Sequence, residues 1–193
     1  MTAEFGVTAW GRAWLRTIES VSVGAPNPAL PQARSLARNG AVGLAEVLAG
    51  RIQGKVLAKG REFSVVITVP TWTAAQAGRV RAALEQAGAQ DRRIGSGEFP
   101  DELVARLQDQ DVAVASGVED CVASCPCTGR RRPCVHHLAA IYCLVQRIDE
   151  VPSLAVRLRD LQADAADFDG PGQPAAAEWL PLTALDPDGF YGV

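Results

Sequence analysis

The chain has 193 residues, 48% of them hydrophobic, and a formal net charge of −3. That length suits one large domain or two small ones with a true core. The acidic balance excludes a global basic field, so any nucleic-acid contact must come from a local patch. No run of about 18 apolar residues is present, which excludes a membrane-crossing helix.

Trp10, Trp14, Ile18 and Val21 recur at helical spacing and predict an amphipathic helix over 8–20. Tryptophans at i and i+4 read as core, with a base-stacking platform as the alternative. A short helix is expected over 31–38, stopped by Asn39-Gly40. Three strands follow. Ile52, Gly54, Val56 and Ala58 alternate with Arg51, Gln53, Lys55 and Leu57; Phe63, Val65, Ile67 and Val69 alternate with Glu62, Ser64, Val66 and Thr68. That is period two with one apolar face. Ala49-Gly50 and Lys59-Gly60 sit where hairpin turns belong, so 42–69 reads as an antiparallel meander.

Thr73 and Gln76 form a capping-box pattern ahead of a helix ending at Gly88. A loop over 89–98 leads to a short helix at 100–108. Residues 112–122 read as extended. Leu138, Ile141, Val145 and Ile148 stripe a helix over 136–147. Pro152 opens another, with Leu154, Leu158 and Leu161 at helical spacing. Residues 162–177, rich in Ala, Asp, Gly and Pro, read as a linker before an aromatic tail.

The five cysteines fall within residues 121–143. The first residues lack the basic and then apolar profile of a secretory leader. The expectation is therefore a reducing cytoplasm, where clustered thiols signal metal or redox chemistry rather than disulfides. Cys125-Pro126-Cys127 and Cys134-Val135-His136 read C-x-C-x6-C-x-H. Three thiolates and an imidazole suffice to close a tetrahedral zinc site. In an ideal strand Cys125 and Cys127 would share a face. Cys134 is expected at the start of the next helix, where free N–H groups favour thiolates. His136 and His137 compete for the fourth position. Cys121 and Cys143 read as packed residues; Cys143 lies about 10 Å along the helix from His136. Three thiolates around Zn²⁺ leave a formal charge of −1. Arg130, Arg131 and Arg132 in the connecting loop can offset it or contact phosphates. Residues 121–147 contain four arginines and no acidic residue.

The stretch CPCTGRRRPCVHHLAAIYCL, 125–144, resembles the SWIM zinc finger, whose pattern is C-x-C, a variable gap, then C-x-H opening an apolar helix. The segments WGRAWL at 10–15, IQG at 52–54, GEFPDEL at 97–103 and residues 154–161 are similar to bacterial SWIM-finger proteins of this size, as is the aromatic ending near Phe190-Tyr191. The resemblance covers most of 8–161. It implies Cys125, Cys127, Cys134 and His136 as the zinc ligands. It also implies a binding role on DNA or with proteins, near helicase-type remodelling ATPases. The expected fold is α+β: an antiparallel β-meander with flanking helices plus a small zinc-stapled ββα finger. Residues 1–98 would form the N-terminal α+β region, 99–161 the finger with its following helix, and 162–193 a linker and tail.

Enzymatic readings fare poorly. GRIQGKV at 50–56 is one residue short of a phosphate-binding loop and has Val56 where Ser or Thr must hold magnesium; a glycine for close strand packing is the plainer reading. The chain has no H-x-E of the zinc deaminases. The expectation is a non-enzymatic zinc module that binds DNA or RNA. A protein-interaction adaptor and a thiol-based redox or zinc sensor are the competing readings.

Overall fold

The computed structural model describes residues 5–19, 27–89, 94, 98–129 and 132–160. The expected 162–177 linker, the aromatic tail, Leu161 and most of the 89–98 loop lie outside them.

The described elements begin with two helices, α1 (Ala9–Glu19) and α2 (Leu30–Arg38). Three strands follow: β1 (Val42–Leu48), β2 (Arg51–Ala58) and β3 (Arg61–Thr68). Then come α3 (Ala74–Gly88), α4 (Glu102–Gln108), β4 (Val122–Ser124), α5 (Val135–Glu150) and α6 (Ser153–Arg159). The architecture is α+β, with one four-stranded antiparallel sheet in the order β1-β2-β3-β4.

Side-chain alternation sets the sheet. Ile52, Gly54, Val56 and Ala58 are buried while Arg51, Gln53, Lys55 and Leu57 are exposed. Both turns hold positive φ at their two central residues, Ala49 (47°) with Gly50 (74°) and Lys59 (51°) with Gly60 (71°). That geometry matches the right-handed twist of the flanking strands. Gly54 lies so close to β1 that a Cβ there would sit 2.6 Å from the carbonyl oxygen of Gly43. Since Gly50 is a turn and 51–58 a strand, the 50–56 glycines serve sheet packing, not phosphate binding.

Helix α5 covers the inner face of the sheet, and α1 and α2 pack on α5. Trp10 and Trp14 are fully buried, as the core reading expects. Tyr142 of α5 donates to Glu19 (2.5 Å), which also ion-pairs with Arg34, tying α1, α2 and α5 together. Asp149 accepts from the Gly6 and Thr8 amides and the Thr8 hydroxyl at 2.7–2.9 Å. Thr73 and Gln76 form the expected capping box of α3. Residues from both sides of position 98 enter one core, including Ile52, Val65, Leu107 and Ile141.

The segment 112–122 departs from expectation. Val112, Val114 and Ser116 are buried alternately, as extended chain requires, yet they form no ladder. The Ala113 carbonyl accepts from the Trp72 indole at 2.9 Å. A turn at 117–121 then reverses the chain. Only β4 pairs, through Val66↔Ser124, Ile67↔Ala123 and Thr68↔Val122.

Candidate metal centre

The centre forms where β4 ends and α5 begins. The idealised strand does not extend through the C-x-C pair: β4 stops at Ser124, and 125–129 has no regular structure. Pro126 supplies no amide for a ladder. The pair therefore leaves the sheet edge and turns back toward the helix. Cys134 is the N-cap of α5, with extended backbone (φ −79°, ψ 165°), and its Sγ accepts from the His137 amide at 3.4 Å. His136 lies one residue inside the helix. The Arg132–Pro133 bond ahead of the cap is cis.

These placements bring Cys125, Cys127, Cys134 and His136 together. One ligand atom from each lies within 4.8 Å of all the others. The Cys125 Sγ to His136 Nδ1 distance is 3.5 Å. A Zn–S bond of about 2.3 Å and a Zn–N bond of about 2.0–2.1 Å, at the tetrahedral angle, set S···N edges near 3.6 Å and S···S edges near 3.8 Å. The donor set and its spacing fit zinc, and the four sequence-predicted ligands converge on one point. His137 stands apart from the cluster: it is buried, and its Nε2 has no hydrogen-bond partner among the described residues. Burial pushes its pKa down to about 4.

Burial and neighbouring groups move the Cys125 and Cys127 thiols in opposite directions. Burial, with neighbouring Cys134 and Cys127 adding to it, pushes the Cys125 thiol up to about 12. Burial also acts to raise Cys127, but hydrogen bonds from the Gly129 backbone, Cys125 and Cys134, with the Arg132 charge, outweigh it and hold that thiol below its ordinary value. Cys127 thus takes a negative charge more readily than Cys125. A divalent ion, when bound, would supply positive charge that favours the thiolate forms. His136 is held neutral by burial, the form a metal needs.

Cys121 and Cys143 are half-buried and outside the cluster. The Cys121 thiol faces the Gly117 carbonyl at 3.3 Å, and the Cys143 thiol faces that of Val42 at 3.8 Å. Burial raises both thiols, Cys121 to about 11. Arg130 and Arg131 lie outside the described residues. Arg132 is exposed and donates to the Gly129 carbonyl at 2.8 Å.

One supporting residue is not legible in the sequence. The Phe63 ring, on β3, stacks on His136 with centroids 4.1 Å apart and planes 17° from parallel. Far apart along the chain, the two share no local pattern, and alternation marks Phe63 only as apolar. The stack fixes the imidazole plane, as outer partners of metal ligands generally do.

Family models, curated proteins and solved structures offer no match to this chain. Among the described residues, no helix is long and apolar enough to cross a membrane.

Proposed function

We propose that this chain is a non-enzymatic, zinc-stapled module that binds nucleic acid in a complex with a helicase-type ATPase. The carrying observation is the convergence of three thiols and an imidazole at the β4–α5 junction. Four protein donors complete a tetrahedral shell, the pattern of structural zinc, whereas catalytic zinc keeps one position for water or substrate. The SWIM-like spacing of 125–144 supplies the nucleic-acid and ATPase part of the reading. The arginine loop supplies the residues: Arg132 lies beside the cluster, and Arg130 and Arg131 precede it in sequence.

The adaptor reading needs an exposed apolar patch. Leu57 (55% exposed) and Val122 (72%) are the strongest candidates on the outer sheet face. Leu57 pairs with Glu62 and Val122 with Thr68, six positions apart along β3. That spacing is about 20 Å, so the two do not touch. The nucleic-acid reading is accordingly preferred.

Its test is a salt series. The zinc-loaded protein should bind DNA or RNA with affinity that falls steeply with salt. Replacing Arg130, Arg131 and Arg132 by alanine should lower both affinity and slope while one zinc per chain remains. A wild type that binds neither nucleic acid overturns the reading. A nuclease-treated pull-down that still recovers an ATPase would then favour the adaptor.

A further inference from the structure

A groove of about 440 Å³ opens at the metal cluster, with Cys127, Cys134 and His136 in its lining. One wall is the β2–β3 turn, which contributes Lys59 and Arg61. The other is the chain over 126–129 and the start of α5; α2 closes one end with Ala29 and Gln32. No element of the sequence marks this groove, because its walls come from three distant segments.

Its charge points to an anion. Lys55 and Arg51 on the same hairpin are neutralised by Glu62 and Glu46. Lys59 and Arg61 are exposed, and among the described residues no carboxylate forms an ion pair with either. A zinc cluster with three thiolates carries −1, and Arg132 already acts on Cys127. Lys59 and Arg61 therefore leave the groove net positive on a chain whose overall charge is −3.

The remaining lining is mixed. Ala29 and Pro126 offer apolar surface, while Gln32 and Thr128 offer hydrogen bonds. Exposed cations along a groove can track a phosphate backbone, the electrostatic half of single-strand binding. The volume is at the lower end of small-ligand sites, suited to an unpaired nucleotide unit rather than a duplex.

We propose that this groove seats single-stranded nucleic acid, with Lys59 and Arg61 on successive phosphates. The inference rests on the nucleic-acid reading above and moves its principal contacts from the arginine loop to the β2–β3 turn. The test compares wild type with the double variant Lys59→Asn, Arg61→Gln, using fluorescent 20-mer single strands of DNA and RNA and the matching duplex. Asparagine followed by glycine is a favoured sequence for this turn, so the variant should fold at least as well while losing both charges. Two lost phosphate contacts at a slope of about 0.7 each lower the log–log slope by about 1.4, and affinity about 25-fold at 0.1 M salt. Zinc content should stay at one per chain.

Retention of wild-type affinity by the variant overturns the groove and leaves the nucleic-acid reading intact. Tighter duplex than single-strand binding by wild type does the same. Loss of zinc from the variant also overturns it, because the two cations would then serve the cluster. Absence of any nucleic-acid binding by wild type removes both proposals.

Discussion

Cys134 does two jobs, and a pair of substitutions separates them. Its sulfur belongs to the metal cluster, and the same sulfur caps α5 by accepting the His137 amide. Cys134→Ser removes the thiolate but keeps an oxygen acceptor at the N-cap. Cys134→Ala removes both. An N-cap acceptor contributes about 1 kcal/mol (range about 0.5–2). For a chain of this length that is a shift of about 2–4 °C in Tm. The metal term is larger, roughly 10–16 kcal/mol of apparent binding energy in peptides that fold only around their zinc. Here much of the fold should persist without the metal. Helix α5 buries Leu138, Ile141, Leu144, Val145 and Ile148 against the sheet and the neighbouring helices. Chelation should therefore release the segment around 121–134 and spare the helical core. Both variants should lose zinc by elemental analysis. In chelator, Cys134→Ser should melt at or above wild type, and Cys134→Ala about 2–4 °C below Cys134→Ser. Full zinc in Cys134→Ser would remove Cys134 from the ligand set. Equal melting of the two variants in chelator would show that the sulfur has no capping role. Loss of the whole helical signal on chelation would refute the independence of the core.

Phe63→Leu keeps bulk but loses the stack on His136; an aromatic pair of about 0.5–1.5 kcal/mol predicts zinc binding about 2- to 12-fold weaker in chelator competition. Unchanged affinity would mean the stack does not position the ligand. Alkylation at pH 8, read by mass, should be slow at Cys121, whose thiol at about 11 is only about 0.1% ionised there. Adding chelator should speed labelling of Cys127, whose thiol is held below its ordinary value, far more than that of Cys125, whose thiol stands at about 12; fast labelling of Cys127 with zinc present would count against ligation. Gly54→Ala drives a Cβ into the Gly43 carbonyl and should cost about 1–3 kcal/mol in urea unfolding, the range for overpacking. A neutral Gly54→Ala would show that β1 can retreat from β2 without loss.

Local chemistry was readable where it acts over a few residues. Alternation placed strands at 51–58 and 62–69, the second within a residue of β3 at either end, and the capping box placed α3. The ligand set followed from spacing together with family resemblance, and the cluster contains His136 rather than His137. What lay beyond reach was pairing at long range. Nothing in 122–124 says that it joins β3, far earlier in the chain, or that Val112 and Val114 bury themselves without a ladder. The same limit hid Phe63 behind His136 and the groove beside the cluster. Short periodicities specify elements; which elements meet is decided by packing, and only the assembled core exposes it.

The smallest strand has a further consequence. Three residues of β4 are what covers the far edge of β3 at Val66, Ile67 and Thr68. A bound metal would help hold them there by gathering Cys125 and Cys127 to the helix. The segment 64–69 is β-branched or apolar beyond its first residue and uncharged throughout, the composition of strands that recruit copies of themselves. Without the metal, that edge would stand open to any extended chain. Zinc would then guard solubility as well as shape, and metal-starved protein would first show its loss as light scattering rather than as a lower melting point.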